Sequence, residues 1–261
     1  MISKIINNVK TMRPLVHNIT NYVSATDCAN ITLAIGASPI MADNPLEAYE
    51  VASIADALVI NTGTISQQRL EAMLAAGSAA NKKGIPIILD PVGAGISKFR
   101  TNAVNAVISQ VKPNVIRLNA SELKSICLNN QNISGVDSDG ISDIQSITFS
   151  AKQLAKKTCT VVGVSGETDI ITDGSRVAII RSGHEMMRKI TGMGCMLSSV
   201  IGAFTAANSD NMLNAVSAAF AVYGHCGKKA YVRGIGAASY KNNFFDEITN
   251  PDTEVFKIEY K

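Results

Sequence analysis

The chain has 261 residues, of which 46% are hydrophobic and 17% are charged, and its formal net charge is +3. This content is enough for a substantial core, so we expect one domain that spans residues 1–261. A nearly balanced charge without runs of lysine or arginine argues against a nucleic-acid partner, and no apolar run reaches the roughly 18 residues that a membrane span needs.

The N-terminal segment, MISKIINNVKTMRP, predicts an amphipathic helix and lacks the apolar centre of a signal peptide. We therefore expect a cytoplasmic protein. The five cysteines are odd in number and show no C-x-x-C spacing, which favours free thiols over disulfides or a zinc site.

Residues 14–23 contain several polar side chains and predict a loop. Ser24 or Thr26 would cap a helix that runs to about Ile35. The next apolar run, residues 38–42, is a candidate strand.

Three apolar runs without alternation then predict buried strands, at residues 57–60, 85–89 and 114–118. Each is followed by a helical segment, the first two at about 66–83 and 98–110. Strands buried on both faces that alternate with helices indicate a parallel sheet covered by helices. Polar residues and glycines follow each strand, at the edge where open α/β sheets bind ligands.

The C-terminal half predicts further elements. Residues 129–142 are polar and predict a surface loop. Strands are expected at residues 159–164, 169–172 and 176–181, the last two joined as a hairpin, so that the sheet acquires an antiparallel edge. Helices are expected at about 143–157, 192–207, 211–230 and 239–249.

A glycine turn, Gly192-Met193-Gly194, leads directly into Cys195 and an apolar helix. Free N–H groups at a helix start and close backbone approach at glycines favour anion binding, and the same field stabilises a thiolate. The alternative is structural: Thr191 caps the helix, the glycines permit the turn, and Cys195 is a small buried apolar residue.

The sequence contains neither a Walker A loop nor G-x-G-x-x-G. Asp90 and Glu122 could hold Mg²⁺, and Arg117 could meet phosphate oxygens, which suits phosphoryl transfer. Taken singly, each carboxylate also has a structural explanation, as a turn former or at an early helical position.

Seven segments carry a family resemblance, in the order ITN, GASPIMA, VINTGT, ILDPVGAG, IRLNASE, VSGETD and ITGMGCML. Together they closely resemble the hydroxyethylthiazole kinase family of the ribokinase-like superfamily. The match runs from about residue 14 to residue 204. It implies a ribokinase-like three-layer sandwich with a mostly parallel central sheet, an antiparallel edge and helices on both faces.

The resemblance also implies a function: phosphorylation of the primary hydroxyl of hydroxyethylthiazole with ATP and Mg²⁺, in thiamin biosynthesis and salvage. Cys195 would be the catalytic residue, at the position where most ribokinase-like kinases have aspartate. The implied thiazole-binding residues are Met41, Gly192, Asn21 and Val23, the implied ATP-binding residues are Arg117, Ser165, Asn119 and Gly194, and the implied metal-binding residues are Asp90 and Glu122. The family assembles as a homotrimer with active sites between subunits.

Three positions depart from the family pattern. Leu118 replaces a glycine and could crowd the approach to the phosphates, Met193 replaces threonine or alanine, and Ser165 replaces threonine but keeps the hydroxyl.

Three other functions remain open. The protein could be a kinase for another small heterocyclic alcohol, such as hydroxymethylpyrimidine. It could be a thiol-dependent hydrolase that uses Cys195 with His184 or His17 as base. It could also be a sensor that binds nucleotide or thiazole without turnover.

Overall fold

The computed structural model describes residues 1–129, 143–252 and 256–261. Its strands, numbered in chain order, are β1 (Leu15–Ile19), β2 (Ser38–Ile40), β3 (Ala57–Asn61), β4 (Ile87–Asp90), β5 (Val115–Asn119), β6 (Val161–Ser165), β7 (Asp169–Thr172), β8 (Val177–Ile180) and β9 (Glu259–Tyr260). They form one sheet in the order β2-β1-β3-β4-β5-β6-β7-β8-β9.

The first six strands of the chain pair in parallel, and the remaining three add an antiparallel edge. The predicted mixed sheet is therefore confirmed. Because the parallel strands run the same way, their carboxyl ends meet at one edge of the sheet, which is where the site described below lies.

The helices are α1 (Ile2–Met12), α2 (Ala25–Ala34), α3 (Pro45–Ile54), α4 (Gln67–Lys83), α5 (Lys98–Ala106), α6 (Ala120–Asn129), α7 (Ile144–Thr158), α8 (Met193–Ala207), α9 (Met212–Lys229) and α10 (Ala237–Thr249). One buried cluster joins the sheet to α1, α2, α8, α9 and α10, and a second joins its other face to α3 through α7. The predicted three layers are confirmed. No helix among the described residues is both long and apolar enough to cross a bilayer.

The predicted loop at residues 14–23 is wrong in its first half, which forms β1. The polar side chains in β1 interrupt the apolar pattern from which a buried strand is predicted. His17 and Asn18 are buried in it, and their partners come from elsewhere: His17 Nε2 donates to the carbonyl of Ala42 at 2.7 Å, and Ser199 Oγ donates to Asn18 Oδ1 at 2.8 Å. Local patterns cannot show such tertiary partners.

Several boundaries also differ from the predictions. The helix expected over 98–110 ends as α5 at Ala106 and continues as a π-helical turn, Val107–Val111. The helix α3 and the short strand β9 were not predicted. The predicted surface loop, except for its first residue at the end of α6, lies outside the described residues.

Candidate active site

The site is built on the carboxyl ends of neighbouring strands. Asn61 and Asp90 are paired in register across β3 and β4, and Asn119 is paired with Ser165 across β5 and β6. Arg117 lies two residues before Asn119, so the alternation of β5 places both side chains on the same face. The fold therefore gathers side chains that lie as far apart in sequence as Asn61 and Ser165.

Arg117 is the buried cation of this site. Its Nη1 donates to Asp90 Oδ1 at 3.0 Å, and its Nη2 donates to Ser165 Oγ at 2.8 Å. Burial alone would lower the pKa of Arg117, but the charges of Asp90 and Glu122 raise it. The guanidinium is therefore a permanent positive charge, and the fork geometry that it uses toward Asp90 and Ser165 also suits phosphate oxygens.

Asp90 is fully buried and accepts hydrogen bonds on both oxygens. Besides Arg117, it receives Asn61 Nδ2 at 2.8 Å and Ser198 Oγ at 2.9 Å on Oδ2. Removing water from a carboxylate is costly unless such partners replace it. The side chain is thus a fixed negative charge that orients Arg117, Asn61 and the first turns of α8.

Cys195 is joined to this network through Asn21. Asn21 Nδ2 donates both to Cys195 Sγ at 3.1 Å and to Asn61 Oδ1 at 3.0 Å. Asn21 Oδ1 in turn accepts from the backbone N–H and the hydroxyl of Ser24, each at 3.1 Å. A continuous set of polar contacts therefore links the half-buried thiol to Asp90 and Arg117.

The predicted turn leads into α8, but the helix already begins at Met193, so only Gly192 of the three turn residues precedes it. Gly192 is the N-cap of α8 with a φ of 80°, a left-handed conformation that favours glycine, so Thr191 is not the cap. A Cβ on Gly194 would lie 2.6 Å from the two terminal nitrogens of Arg117. Glycine at this position is what allows the guanidinium to lie against the first turn of the helix.

The expected stabilisation of a Cys195 thiolate is not what the structure shows. Burial and the charge of Asp90 raise the pKa of the Cys195 thiol, and they outweigh the hydrogen bonds from Ser24 and Asn21 and the charge of Arg117. The group is a neutral thiol near pH 7. This favours a role in orienting a hydroxyl over a role as a preformed anion.

Glu122 and Asn119 fix the start of α6 by a reciprocal pair of hydrogen bonds. Glu122 N–H donates to Asn119 Oδ1 at 2.9 Å, and Asn119 N–H donates to Glu122 Oε2 at 3.0 Å. Oε1 accepts from the backbone N–H of Gly93 at 3.1 Å. Burial and the charge of Asp90 raise the pKa of Glu122, so the carboxylate would gain from a nearby cation.

Glu122 and Asp90 are not equally suited to binding a divalent metal. Glu122 keeps acceptor capacity after its two backbone bonds, and Mg²⁺ is commonly held by one or two carboxylates together with substrate phosphates. Asp90 already has three donors, so it suits a role at longer range, through its charge or through water. Among the described residues, no group of three or more His, Cys, Asp and Glu side chains could form an all-protein metal site.

A cavity of about 940 Å³ opens beside Arg117 and the glycine turn. Five of the predicted residues line it: Arg117, Asn119, Ser165, Gly192 and Gly194. Its apolar wall comes from Met193, Leu197, Phe220 and Tyr223. A large cleft with one apolar wall and a buried arginine suits a ligand that combines an apolar part with an anionic part.

Six predicted residues do not line this cavity: Cys195, Asn21, Asp90 and Glu122, which are held by hydrogen bonds, and Met41 and Val23, which are open to solvent. Met41, after β2, is 40% exposed, and Val23, after β1, is 54% exposed. Of the other two predicted thiazole residues, Asn21 belongs to the polar network and Gly192 lines the cavity, so the predicted substrate residues divide between a buried side and an open side.

The departures from the family pattern have different consequences. Leu118 is fully buried in the core on the opposite side of β5 from Arg117, so the expectation that it crowds the phosphates is wrong. The Met193 carbonyl accepts the hydroxyl of Tyr223 at 2.7 Å. The hydroxyl that Ser165 shares with the threonine of the family pattern accepts the hydrogen bond from Arg117 Nη2.

Neither histidine proposed as a base contacts Cys195 by a hydrogen bond in the part of the chain that the structure describes. His17 donates to Ala42, and Nδ1 of His184 accepts from the N–H of Met186 at 3.2 Å. The ring of His184 also stacks on Tyr231 with centroids 3.9 Å apart. The raised thiol pKa, and the hydrogen bonds of both histidines to other partners in the described residues, do not favour the hydrolase alternative.

Sequence reasoning missed Asn61, Ser198 and Asp169. Asn61 and Ser198 both donate hydrogen bonds to Asp90. In the sequence, Asn61 could have been found from its place at the end of a predicted strand, and Ser198 from its place one helical turn after Cys195. Asp169 lines the cavity and accepts from the N–H of Gly166 at 3.0 Å. Burial raises the pKa of Asp169 to about 7, although Gly166 and Arg117 partly oppose the shift.

This shift predicts a pH-dependent stability. Because the native pKa of Asp169 lies above its ordinary value of 3.8, the native state holds the proton longer, and the carboxyl costs stability progressively as pH rises from about 4 to about 7. Asp169→Asn removes this cost. Urea unfolding gives the unfolding free energy of Asp169→Asn minus that of the wild type. We expect this difference to be larger at pH 8 than at pH 5 by on the order of 2 kcal/mol.

Asp210→Asn, on the exposed turn before α9, is the matched control and should show no such trend. If the difference in unfolding free energy between Asp169→Asn and the wild type is the same at both pH values, the raised pKa of Asp169 is contradicted.

Comparisons with known proteins agree with this geometry. The model of the hydroxyethylthiazole kinase family matches residues 6–254. The hydroxyethylthiazole kinase of Methanocella arvoryzae is 47% identical over 95% of this chain and 92% of its own length. The structure of a hydroxyethylthiazole kinase protein from Pyrococcus horikoshii OT3 is 32% identical, with a TM-score of 0.91 over 100% of this chain and 98% of that chain.

A pyridoxal kinase from Staphylococcus aureus, solved in complex with ADP, shares the fold at a TM-score of 0.68 and 14% identity, covering 95% of this chain and 97% of that chain. The ribokinase-like fold is confirmed. The match over nearly the whole sequence and the close structural likeness show that this chain is an enzyme of the hydroxyethylthiazole kinase family, a kinase with an alcohol group as acceptor.

Proposed function

We propose that this enzyme transfers the γ-phosphoryl group of ATP to the primary hydroxyl of hydroxyethylthiazole, in thiamin salvage. The observation that carries the proposal is that Cys195 adjoins two groups of residues. It directly follows Gly194, which lines the cavity with Arg117, and its thiol accepts a hydrogen bond from Asn21 Nδ2 at 3.1 Å. An alcohol held at Asn21 would face a nucleotide held in the cavity.

In the reaction, the hydroxyl oxygen forms a bond to the γ-phosphorus, the bond to the β-phosphate oxygen breaks, and the hydroxyl proton leaves. Positioning and charge stabilisation dominate such transfers, because the transition state is largely dissociative. Arg117 and the free N–H groups at the start of α8 would stabilise the charge on the phosphates. Cys195, as a neutral thiol, would orient the hydroxyl, and the hydroxyl proton would pass to an oxygen of the transferred phosphoryl group as the bond to the β-phosphate breaks.

Ser165, Asn119 and Gly194 complete the proposed nucleotide side. Ser165 holds Arg117 in place, Asn119 presents a polar side chain to the cavity, and Gly194 leaves room for the guanidinium. Glu122 would hold Mg²⁺, with Asp90 contributing its charge. When bound, Mg²⁺ neutralises charge on the transferring phosphates.

We further propose that the substrate side is completed by a second copy of the chain, in a homotrimer. Met41 and Val23 would form the apolar wall for a flat thiazole ring, yet both are open to solvent in the single chain. Tyr22, next to Val23, and Leu46, at the start of α3 shortly after Met41, are 73% and 90% exposed. Exposed apolar side chains around an open substrate wall fit a subunit contact.

Leu46→Asp tests this assembly. A charge in the contact would be desolvated on association, so we expect the trimer to dissociate at concentrations where the wild type does not, and the KM for the thiazole to rise about tenfold or more. Light scattering measures the first effect and steady-state kinetics the second. Leu128→Asp, at an exposed site on α6, is the matched control. A wild type that is monomeric and fully active would contradict the proposal.

The function itself is tested by following ADP formation from MgATP with and without hydroxyethylthiazole. Stimulation by the thiazole and a weaker response to hydroxymethylpyrimidine are expected. Stronger stimulation by the pyrimidine would instead favour the other heterocyclic alcohol, and binding of the thiazole without ADP formation would indicate a sensor.

A further inference from the structure

Arg69 occupies an unfavourable position for its charge. It is the third residue of α4, whose N-terminal N–H groups carry partial positive charge. Its own N–H donates to the capping hydroxyl of Ser66 at 3.2 Å. A cation in the first turn of a helix costs a few tenths of a kcal/mol up to about 1 kcal/mol, so its side chain must be stabilised by other partners.

Those partners come from three loops. Nε and Nη2 of Arg69 bind Asp43 Oδ2 at 2.9 and 2.8 Å. Nη1 donates to the hydroxyl of Thr64 at 2.6 Å and to its carbonyl at 3.1 Å. The guanidinium carbon lies 5.7 Å from the ring centre of Tyr22, within range of a cation–π interaction. The side chain is 20% exposed, so these contacts are partly shielded from water.

The three loops follow three adjacent strands. Tyr22 follows β1, Asp43 follows β2 and Thr64 follows β3, and these strands lie side by side in the order β2-β1-β3. The hydroxyl of Thr64 also accepts the N–H of Tyr22, at 3.4 Å. One guanidinium therefore holds together the ends of the strands that carry the proposed alcohol-binding residues.

The loop after β2 shows how this arrangement acts on the substrate side. Met41 lies just before Ala42, whose carbonyl is fixed by His17, and Asp43, whose carboxylate is fixed by Arg69. On the neighbouring loop, Tyr22 lies between Asn21 and Val23. Loss of the guanidinium would thus free the Asp43 carboxylate and the Tyr22 ring, whereas Asn21 keeps its own bonds to Asn61 and Cys195, and Arg117 keeps its bonds to Asp90 and Ser165.

We propose that Arg69 is a positioning residue for the alcohol substrate, which holds the loops after β1, β2 and β3 in the geometry that receives it. The inference rests on the proposed function, because it takes the loops of Asn21 and Met41 as the substrate side.

Arg69→Met tests the inference, since methionine keeps much of the side-chain length and removes every polar contact. We expect the KM for hydroxyethylthiazole to rise about tenfold, while the KM for ATP stays within about twofold. Arg69→Lys should give an intermediate rise, because one ammonium cannot bind Asp43 and both oxygens of Thr64 in the same planar arrangement. Arg176→Met, which removes an arginine pair with Asp173 on the β7–β8 hairpin, is the matched control and should change neither constant.

An unchanged KM for the thiazole in Arg69→Met would overturn the inference, and so would an equal rise in both KM values. Dissociation of the oligomer in Arg69→Met, seen by light scattering, would also overturn it, because the effect would then pass through assembly. If Arg69→Met does not fold, the same comparison of the KM values for hydroxyethylthiazole and ATP is made with Arg69→Lys and Thr64→Val. A wild type without thiazole-dependent turnover would refute the proposed function instead.

Discussion

Arg117→Met is expected to lower kcat by about 10²- to 10³-fold, the loss typical of removing one preorganised charge-stabilising group. Arg117 is the buried cation that lines the cavity, and the first turn of α8 packs against it through Gly194. The substitution also leaves Asp90 with one fewer donor in a fully buried place. Loss of one partner of such a pair costs about 3–5 kcal/mol of unfolding free energy. Steady-state kinetics and urea unfolding measure the two effects.

The double variant Arg117→Met with Asp90→Asn separates stability from chemistry. It removes both charges and keeps an acceptor for Ser198, so stability should recover in part. Turnover should stay low, because the cationic group is still missing. Recovery of turnover together with stability would mean that Arg117 is only structural, and an Arg117→Met enzyme that keeps most of its kcat would mean the same.

Cys195→Asp is expected to preserve or raise kcat, whereas Cys195→Ala should lower it by about 10- to 100-fold. A carboxylate oxygen can accept the same hydrogen bond from Asn21 that the thiol now accepts, and it is a better acceptor for a hydroxyl proton. The residue would orient the alcohol in both enzymes, and the transition state needs little early deprotonation.

The pH profile supplies the control for Cys195→Asp. Burial and the charge of Asp90, which raise the pKa of the present thiol, would also raise that of the new carboxyl. The activity of Cys195→Asp should therefore increase with pH as this group ionises, in a way that Cys195→Ala does not share. Collapse of Cys195→Asp to background in a folded protein would contradict the proposed role, and so would an unchanged kcat in Cys195→Ala.

The layers of the fold were readable from the sequence because they depend on local apolar patterns. The run at 57–60 and residues 87–89 of the next run are buried on both faces, and β7 begins and ends at the predicted residues. In contrast, β1 contains His17 and Asn18, and buried polar atoms of both, His17 Nε2 and Asn18 Oδ1, bond to the distant residues Ala42 and Ser199. A pattern that depends on tertiary partners is not visible in a window of sequence.

The site was predictable only in part, for a related reason. The glycine turn and the residues after the strands indicated where a ligand would bind, and the structure places five predicted residues around one cavity. The network that connects them, through Asn61 and Ser198, depends on strand register and helix placement. The raised pKa of Cys195 has the same origin, since burial and Asp90 outweigh the helix field.

Mass spectrometry of the products formed from MgATP and hydroxyethylthiazole tests whether the chain phosphorylates the hydroxyl of this alcohol. We expect ADP and a thiazole that carries one additional phosphoryl group, in equal amounts. ADP with unmodified thiazole, or no reaction by a folded protein that binds both ligands, would contradict this expectation.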